Sequence, residues 1–274
     1  MKELSPEEIR LFIDAVSANS DYDFSDYSVK SFTRRVQKLS ADYRTDVSGL
    51  IKRLSEDSDF LETLVKDITV NTTEVFRDPA VWRILDREIL PAYKDSFRIN
   101  IWHAGVSTGQ EVYTLLILLK HHGLFDRARV YASDLNSDVL EVAKSGKYKY
   151  REIDDYIKNF NETFKDSDIL YKFDDYFKVS RGRNLIKVKS FLLDKVEYKK
   201  HDLTSLTNPF AVKYDLIFCR NVLIYFNHDL QNRVIKLFES SLFRGGALVI
   251  GKHEGILGSI ADKFEKRGTI FIKK

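Results

Sequence analysis

Through residue 90 the apolar positions recur at helical spacing, with no sustained alternation that would mark a strand. Ser5-Pro6-Glu7-Glu8 carries a helix start, with Ser as cap, Pro at the first helical position and acids in the first turn. Further helices are expected over residues 28–39, 46–55 and 57–67. In SVKSFTRRVQKLS, Val29, Phe32, Val36 and Leu39 share an inward face, and Lys30, Arg34, Arg35 and Lys38 fall on the opposite one.

From Phe97 the rhythm changes. FRINIWHAG, RVYASDLN, YDLIFCRN and GALVIGK are short apolar strands; SDVLEVAKSG and DLQNRVIKLFESSLF are helices between them, and another helix follows Gly109. Such alternation predicts a mostly parallel, doubly wound sheet with helices on both faces. The stretch from about Tyr148 to Lys200 interrupts it, and YFKVSRGRNLIKVK has the pattern of an antiparallel hairpin turned at Arg181-Gly182-Arg183. The expected organisation is therefore an all-α N-terminal domain with linker over residues 1–90. An α/β domain follows over 91–274, with a small β-subdomain inserted at about 170–195.

Composition narrows the class. With 43% hydrophobic and 31% charged residues the chain reads as globular, and no apolar run reaches the roughly 18 residues of a membrane span. Its acidic, helix-capped start does not resemble a signal peptide. Cys219 is the sole cysteine, which excludes an internal disulfide and a cysteine-rich zinc site and suits a reducing cytoplasm. A net charge of +3 gives no broad nucleic-acid footprint.

The candidate chemistry begins at IWHAGVSTGQEVY. Gly105 and Gly109 open a strand-to-helix loop, yet neither the GxxxxGK[ST] of a phosphate loop nor GxGxxG is present. Glu111 stands in the first helical turn, where it would repel a pyrophosphate but accept hydrogen bonds from an ammonium. Asp134 ends the next strand, where an acid takes ribose hydroxyls. Together they point to S-adenosylmethionine, an adenosine bearing an amino acid. Taken singly, Glu111 is as readily a helix-dipole acid and Asp134 a solvated strand-end acid.

Three separated stretches, NTTEVFRDPAVW from Asn71, AGVSTGQEVYTL from Ala104 and CRNVLIYF from Cys219, resemble the chemotaxis receptor methyltransferases of the CheR type. SDLNSDVLEVAKSGKY and GGALVIGKHE are similar to that family too, so the resemblance covers nearly the whole chain. It implies transfer of a methyl group from S-adenosylmethionine to glutamate side chains of chemoreceptor signalling helices, leaving S-adenosylhomocysteine. The family's active-site arginine and tyrosine fall on Arg77 and Tyr225. Asn71, Thr73, Gly105, Arg220 and Asn221 take cofactor-binding positions, Glu111 the methionine amino group and Asp134 the ribose. Near the adenine the family usually has His-Asn-Leu; here it is His201-Asp202-Leu203, and GVSTGQE stands for the more frequent GCSTGEE. Asp202 can still accept from an adenine amino group.

Glutamate is ionised at neutral pH, its ordinary pKa being about 4.3, so methyl transfer needs alignment rather than a general base. Arg77 suits a carboxylate, of substrate or cofactor; its bland alternative is an ion pair with Asp78. Tyr225 would orient the substrate, or be only a packed aromatic. Cys219 reads as a small core residue, His103 and His253 at strand ends as packing or hydrogen-bonding residues, and the adjacent His121 and His122 as poor metal ligands, so no metal is expected. The basic stripe Lys30, Arg34, Arg35, Lys38 is either a solvated face or a dock for an acidic receptor helix, and the resemblance favours the dock. It also leaves open a receptor C-terminal peptide added as a strand to the hairpin. The expected protein is a cytoplasmic monomer, neither embedded in membrane nor specific for nucleic acid. Competing readings are a methyltransferase for another substrate, to which Asn208-Pro209-Phe210 lends little, and a cofactor-binding scaffold without transfer.

Overall fold

The computed structural model describes residues 4–167 and 171–274; the expected insertion begins at 170, just outside them. Four helices open the chain: α1 Pro6–Asn19, α2 Val29–Asp42, α3 Val47–Glu56 and α4 Ser58–Ile68. Each expected helix is present. The Ser5 side chain accepts from Glu8 N–H while the Glu8 carboxylate accepts from Ser5 N–H, a reciprocal cap that fixes where α1 starts. Asp46 and Asp57 cap α3 and α4 one way only, their side chains accepting from Gly49 N–H and Phe60 N–H. Phe12, Phe32, Val36, Leu50, Leu64 and their neighbours bury one another in a core separate from that of the sheet. Val29 departs from expectation: it is 69% exposed, because α2 begins there and no turn precedes it to pack against.

After α5 (Pro79–Ile84) the main sheet begins with β1 (Ile99–Ala104), followed by α6 (Gln110–His121), β2 (Ala128–Asp134) and α7 (Ser137–Ser145). A three-stranded antiparallel sheet comes next: β3 (Lys147–Lys149), then α8 (Ile153–Phe164), β4 (Phe177–Ser180) and β5 (Leu185–Val188), in the order β3-β5-β4. The hairpin is where it was expected; β3 is an addition, too short to show in a pattern of alternation. The chain then returns to the main sheet through α9 (Ser190–Leu193), β6 (Val196–Lys200), β7 (Tyr214–Cys219), α10 (His228–Ser241), β8 (Leu242–Ile250), β9 (Phe264–Arg267) and β10 (Ile270–Lys273).

The main sheet runs β6-β2-β1-β7-β8-β10-β9, its first five strands mutually parallel and β10 antiparallel to both its neighbours, β8 and β9. Alternation along β1 and β7 sends Ile99, Ile101, Leu216 and Phe218 into the core under α6. Trp102, Ala104, Ile217 and Cys219 go into the opposite core under α10. The strand order reverses between β1 and β7. The carboxyl ends of β1, β2 and β7 therefore open onto a crevice, the switch point at which such sheets bind ligands.

Candidate active site

The crevice is a cleft of about 310 Å³. One wall is the loop after β1. There Gly105 takes φ +78° and Gly109 φ +90°, a region that side chains rarely enter. A Cβ on Gly105 would stand 2.5 Å from Val222 Cγ2, and one on Gly109 would stand 2.7 Å from Ala143 Cβ. The glycines thus serve two ends, a left-handed turn and close approach of the turn after β7 and of α7. Val106 and Ser107 complete this wall.

Glu111, in the first turn of α6, is largely buried in the cleft lining. His103 Nδ1 lies 2.9 Å from its Oε1 and donates, since a carboxylate can only accept; Arg220 Nη1 donates to Oε2 at 3.1 Å. Burial pushes the Glu111 carboxyl up, but His103 and the Arg220 guanidinium outweigh it, holding the group below its usual range. His103 itself is flat against Phe218, ring centroids 4.6 Å apart. Each Glu111 oxygen keeps a further lone pair, which suits an ammonium group arriving from the cleft.

Asp134 closes β2. Ser107 N–H donates to its Oδ2 at 2.8 Å and Asn136 N–H to its Oδ1 at 3.0 Å, so this acid also ties the glycine loop to the neighbouring strand end. Burial raises its pKa against those hydrogen bonds. Asp202 accepts from Thr204 N–H at 2.8 Å, and burial pushes it up likewise. His201 and Leu203 stand beside it on the cleft wall.

The FRDP turn enters from the α4 side. Phe76 and Asp78 both have φ in the left-handed region, 54° and 57°. Arg220, with a side chain only 2% exposed, braces that turn: Nη2 donates to Asp78 Oδ2 at 2.8 Å and to the Arg77 carbonyl at 3.1 Å. The alternative of an Arg77–Asp78 pair is thereby overturned, because Asp78 is taken by Arg220. Arg77 donates instead to the Thr72 carbonyl at 3.0 Å, and its head lines the cleft with Asn71 and Thr73. Arg220 lines it as well, with both terminal nitrogens already engaged by protein.

The last wall is the turn after β7. Asn221 takes φ 61°, and Leu223–Tyr225 form a single 3-10 turn. Half-buried Tyr225 has its hydroxyl pKa raised by burial, opposed by the charges of Arg35 and Arg77. It is therefore a protonated donor at neutral pH. Arg35 is thus not with the other three bases. Residues 34 and 35 are 100° apart on a helix, and that step carries Arg35 to the cleft wall, leaving Lys30 and Arg34 on the exposed face. Lys38 is exposed too, but pairs with Asp42 one turn on.

Every residue read as catalytic or cofactor-binding, from Asn71 to Tyr225, lines this one cleft; Lys30, Arg34 and Lys38 do not. Sequence reasoning missed Tyr27, Ser31 and Phe32, which roof the cleft from the helical region, and His103 as partner to Glu111. The roof is fastened by main chain: Ser28 N–H donates to the Tyr225 carbonyl at 2.8 Å, and Asn227 N–H to the Asp26 carbonyl at 2.8 Å.

Residues 71–271 match the family described as "CheR methyltransferase, SAM binding domain". The chain belongs to the CheR methyltransferase family. It is 35% identical over 260 residues to the chain named Cher3 of Pseudomonas putida, covering 94% of this chain and 92% of that one. It is 33% identical over 206 residues to a chemotaxis protein methyltransferase of Borreliella burgdorferi, covering 72% and 68%. Another, from Listeria innocua, is 29% identical over 249 residues, covering 90% and 89%. Membership of the family makes the chain an S-adenosylmethionine-dependent methyltransferase acting in chemotaxis. The donor set agrees: two buried acids and no phosphate-binding lysine suit a nucleoside carrying an amino acid. No group of three or more potential metal ligands occurs among the described residues. No helix among them is long and apolar enough to cross a membrane.

Proposed function

We propose that the chain methylates glutamate side chains of chemoreceptor signalling helices, giving glutamyl methyl esters and S-adenosylhomocysteine. The observation that carries this is the convergence of Arg77 and Tyr225 on the cleft that also holds Glu111 and Asp134, with two guanidiniums, Arg35 and Arg77, bearing on the tyrosine hydroxyl. When bound, S-adenosylmethionine supplies an electrophilic methyl on a sulfonium. Glu111 would take its ammonium group, Asp134 the ribose hydroxyls, and Asp202 with Leu203 the adenine side. Asn71, Thr73, Gly105 and Asn221 would line its path, with Arg220 acting through Glu111 and the FRDP turn.

A substrate glutamate arrives ionised and needs no base. Arg77 would grip one oxygen of that carboxylate, Tyr225 would donate to it, and the other oxygen would be left in line for attack. The α2 roof would shield the reacting atoms from water. In this reading residues 1–90 form the substrate-facing unit and 91–274 the methyltransferase unit, acting as a monomer in the cytoplasm. Lys30, Arg34 and Lys38 would attract an acidic receptor helix, and Arg35 would lead its glutamate inward. A receptor C-terminal peptide would add to the free edge of β4. A row of lysines across that small sheet, Lys147, Lys187 and Lys178 in register, supplies charge for it.

The test incubates the protein with radiolabelled S-adenosylmethionine and receptor cytoplasmic fragments. Base-labile label on receptor glutamates is expected. Cofactor binding without transfer would instead mark a scaffold.

A further inference from the structure

We propose that Glu254, which does not line the cleft, is a positioning residue that sets the Asn221–Tyr225 turn and through it the place of the Tyr225 hydroxyl. The inference rests on the proposed role of Tyr225. Because β8 runs parallel to β7, with Cys219 opposite Ile250, the chain leaving β8 passes directly beside the turn leaving β7. There the Glu254 carboxylate gathers main-chain donors from both. Its Oε2 accepts from Asn221 N–H at 3.0 Å and Gly251 N–H at 2.5 Å, and its Oε1 accepts from Ile224 N–H at 3.2 Å.

No cation pairs with Glu254 among the described residues; its hydrogen bonds there are all to backbone N–H groups. A mostly buried carboxylate placed in this way incurs desolvation without an ion pair in return, and what it fixes is conformation. The conformation needs fixing, since Asn221 lies at φ 61°. Gly251 leaves room for the grip. A Cβ there would stand 2.7 Å from Glu254 Oε2 and 2.9 Å from Asn221 N. Glutamine cannot replace the carboxylate. Donors approach both oxygens, and an amide would turn its NH₂ against one set of them. The turn is then closed by Tyr225 N–H donating to the Val222 carbonyl at 3.1 Å.

The experiment compares wild type, Glu254→Gln, Tyr225→Phe and the double variant, all first shown to be folded by circular dichroism. Expected for Glu254→Gln is a fall in kcat of about tenfold, with S-adenosylhomocysteine affinity by calorimetry within about threefold of wild type. The double variant should be no slower than the slower single one, because Glu254 acts through Tyr225. Losses that multiply would overturn the proposal, as would a fall in cofactor affinity equal to the fall in kcat. Amide hydrogen exchange in the cofactor-free protein gives a readout that needs no methyl transfer. Asn221 and Ile224 should exchange faster in Glu254→Gln while amides of β1 and β2 do not change; unchanged exchange at both would overturn the grip. Should the wild type itself transfer no methyl, the receptor reading fails and the exchange data still decide the role of Glu254.

Discussion

Arg77 is anchored at one nitrogen by the Thr72 carbonyl, which leaves the rest of its fork for a ligand. Arg77→Lys keeps the charge and loses the fork. If the fork holds the substrate carboxylate, kcat/KM for receptor fragments should fall about 100-fold with S-adenosylhomocysteine affinity unchanged. A matching loss of cofactor affinity would move Arg77 to the cofactor's own carboxylate. Arg220 makes a different prediction. Removing it in Arg220→Ala leaves Glu111 without one of its two partners and Asp78 without its own, at a cost of about 3–5 kcal/mol, measurable by denaturant unfolding. A loss below about 1 kcal/mol would show that the brace is dispensable. At this scale the sequence was most readable where function is written in contiguous letters: NTTEVFR, STGQE and CRNVLIY each put several site residues side by side. Tyr27 and His103 carried no such mark. They meet the site through folding alone, one roofing it from the helical region and the other bonded to Glu111 from β1.

Among elements, the loop between β1 and α6 carries a strict steric condition, at positive φ and against its neighbours. Gly109→Ala places a Cβ against Ala143 at a φ that alanine resists, so destabilisation of about 1–3 kcal/mol is expected together with weaker cofactor binding. Calorimetry with S-adenosylhomocysteine and thermal unfolding would check both; wild-type values for the two would refute the close packing of α7 on the loop. Docking belongs to α2. Since Arg35 faces the cleft and Arg34 faces out, Arg34→Glu should raise KM for receptor fragments in a salt-dependent manner, whereas Arg35→Glu should lower kcat as well. Identical effects of the two would refute the division. The helices and central strands were legible because their apolar periods are long. Three-residue β3 has no period to read, and in β6, VEYKK, no residue is fully buried, so its membership of the sheet comes from pairing with β2.

For the molecule as a whole, acid sensitivity follows from half-buried histidines. Burial lowers the His121 pKa to about 4, and likewise that of His201, against an ordinary value of about 6.5. Between those values the unfolded chain holds more protons than the folded one. The stabilisation is therefore complete above about pH 6.5 and is lost as pH falls toward 4. Unfolding midpoints should drop across that window, and His121→Gln should drop less steeply; equal slopes would exclude His121 as a source. His121 packs against Tyr171 and is hydrogen-bonded to the Tyr176 hydroxyl at 3.0 Å, a setting the sequence did not disclose because those aromatics lie some 50 residues on. What the sequence disclosed globally was the α/β class and the switch-point crevice, both consequences of strand and helix order.

The bond from Ser28 N–H to the Tyr225 carbonyl has a consequence in time. It joins positions almost 200 residues apart, and loop closure of that span is among the slower acquisitions of a folding chain. On refolding from denaturant, helical ellipticity should return first and methyl transfer only when the two distant segments have met. The lag between the two signals would measure the assembly of the roof over the catalytic turn.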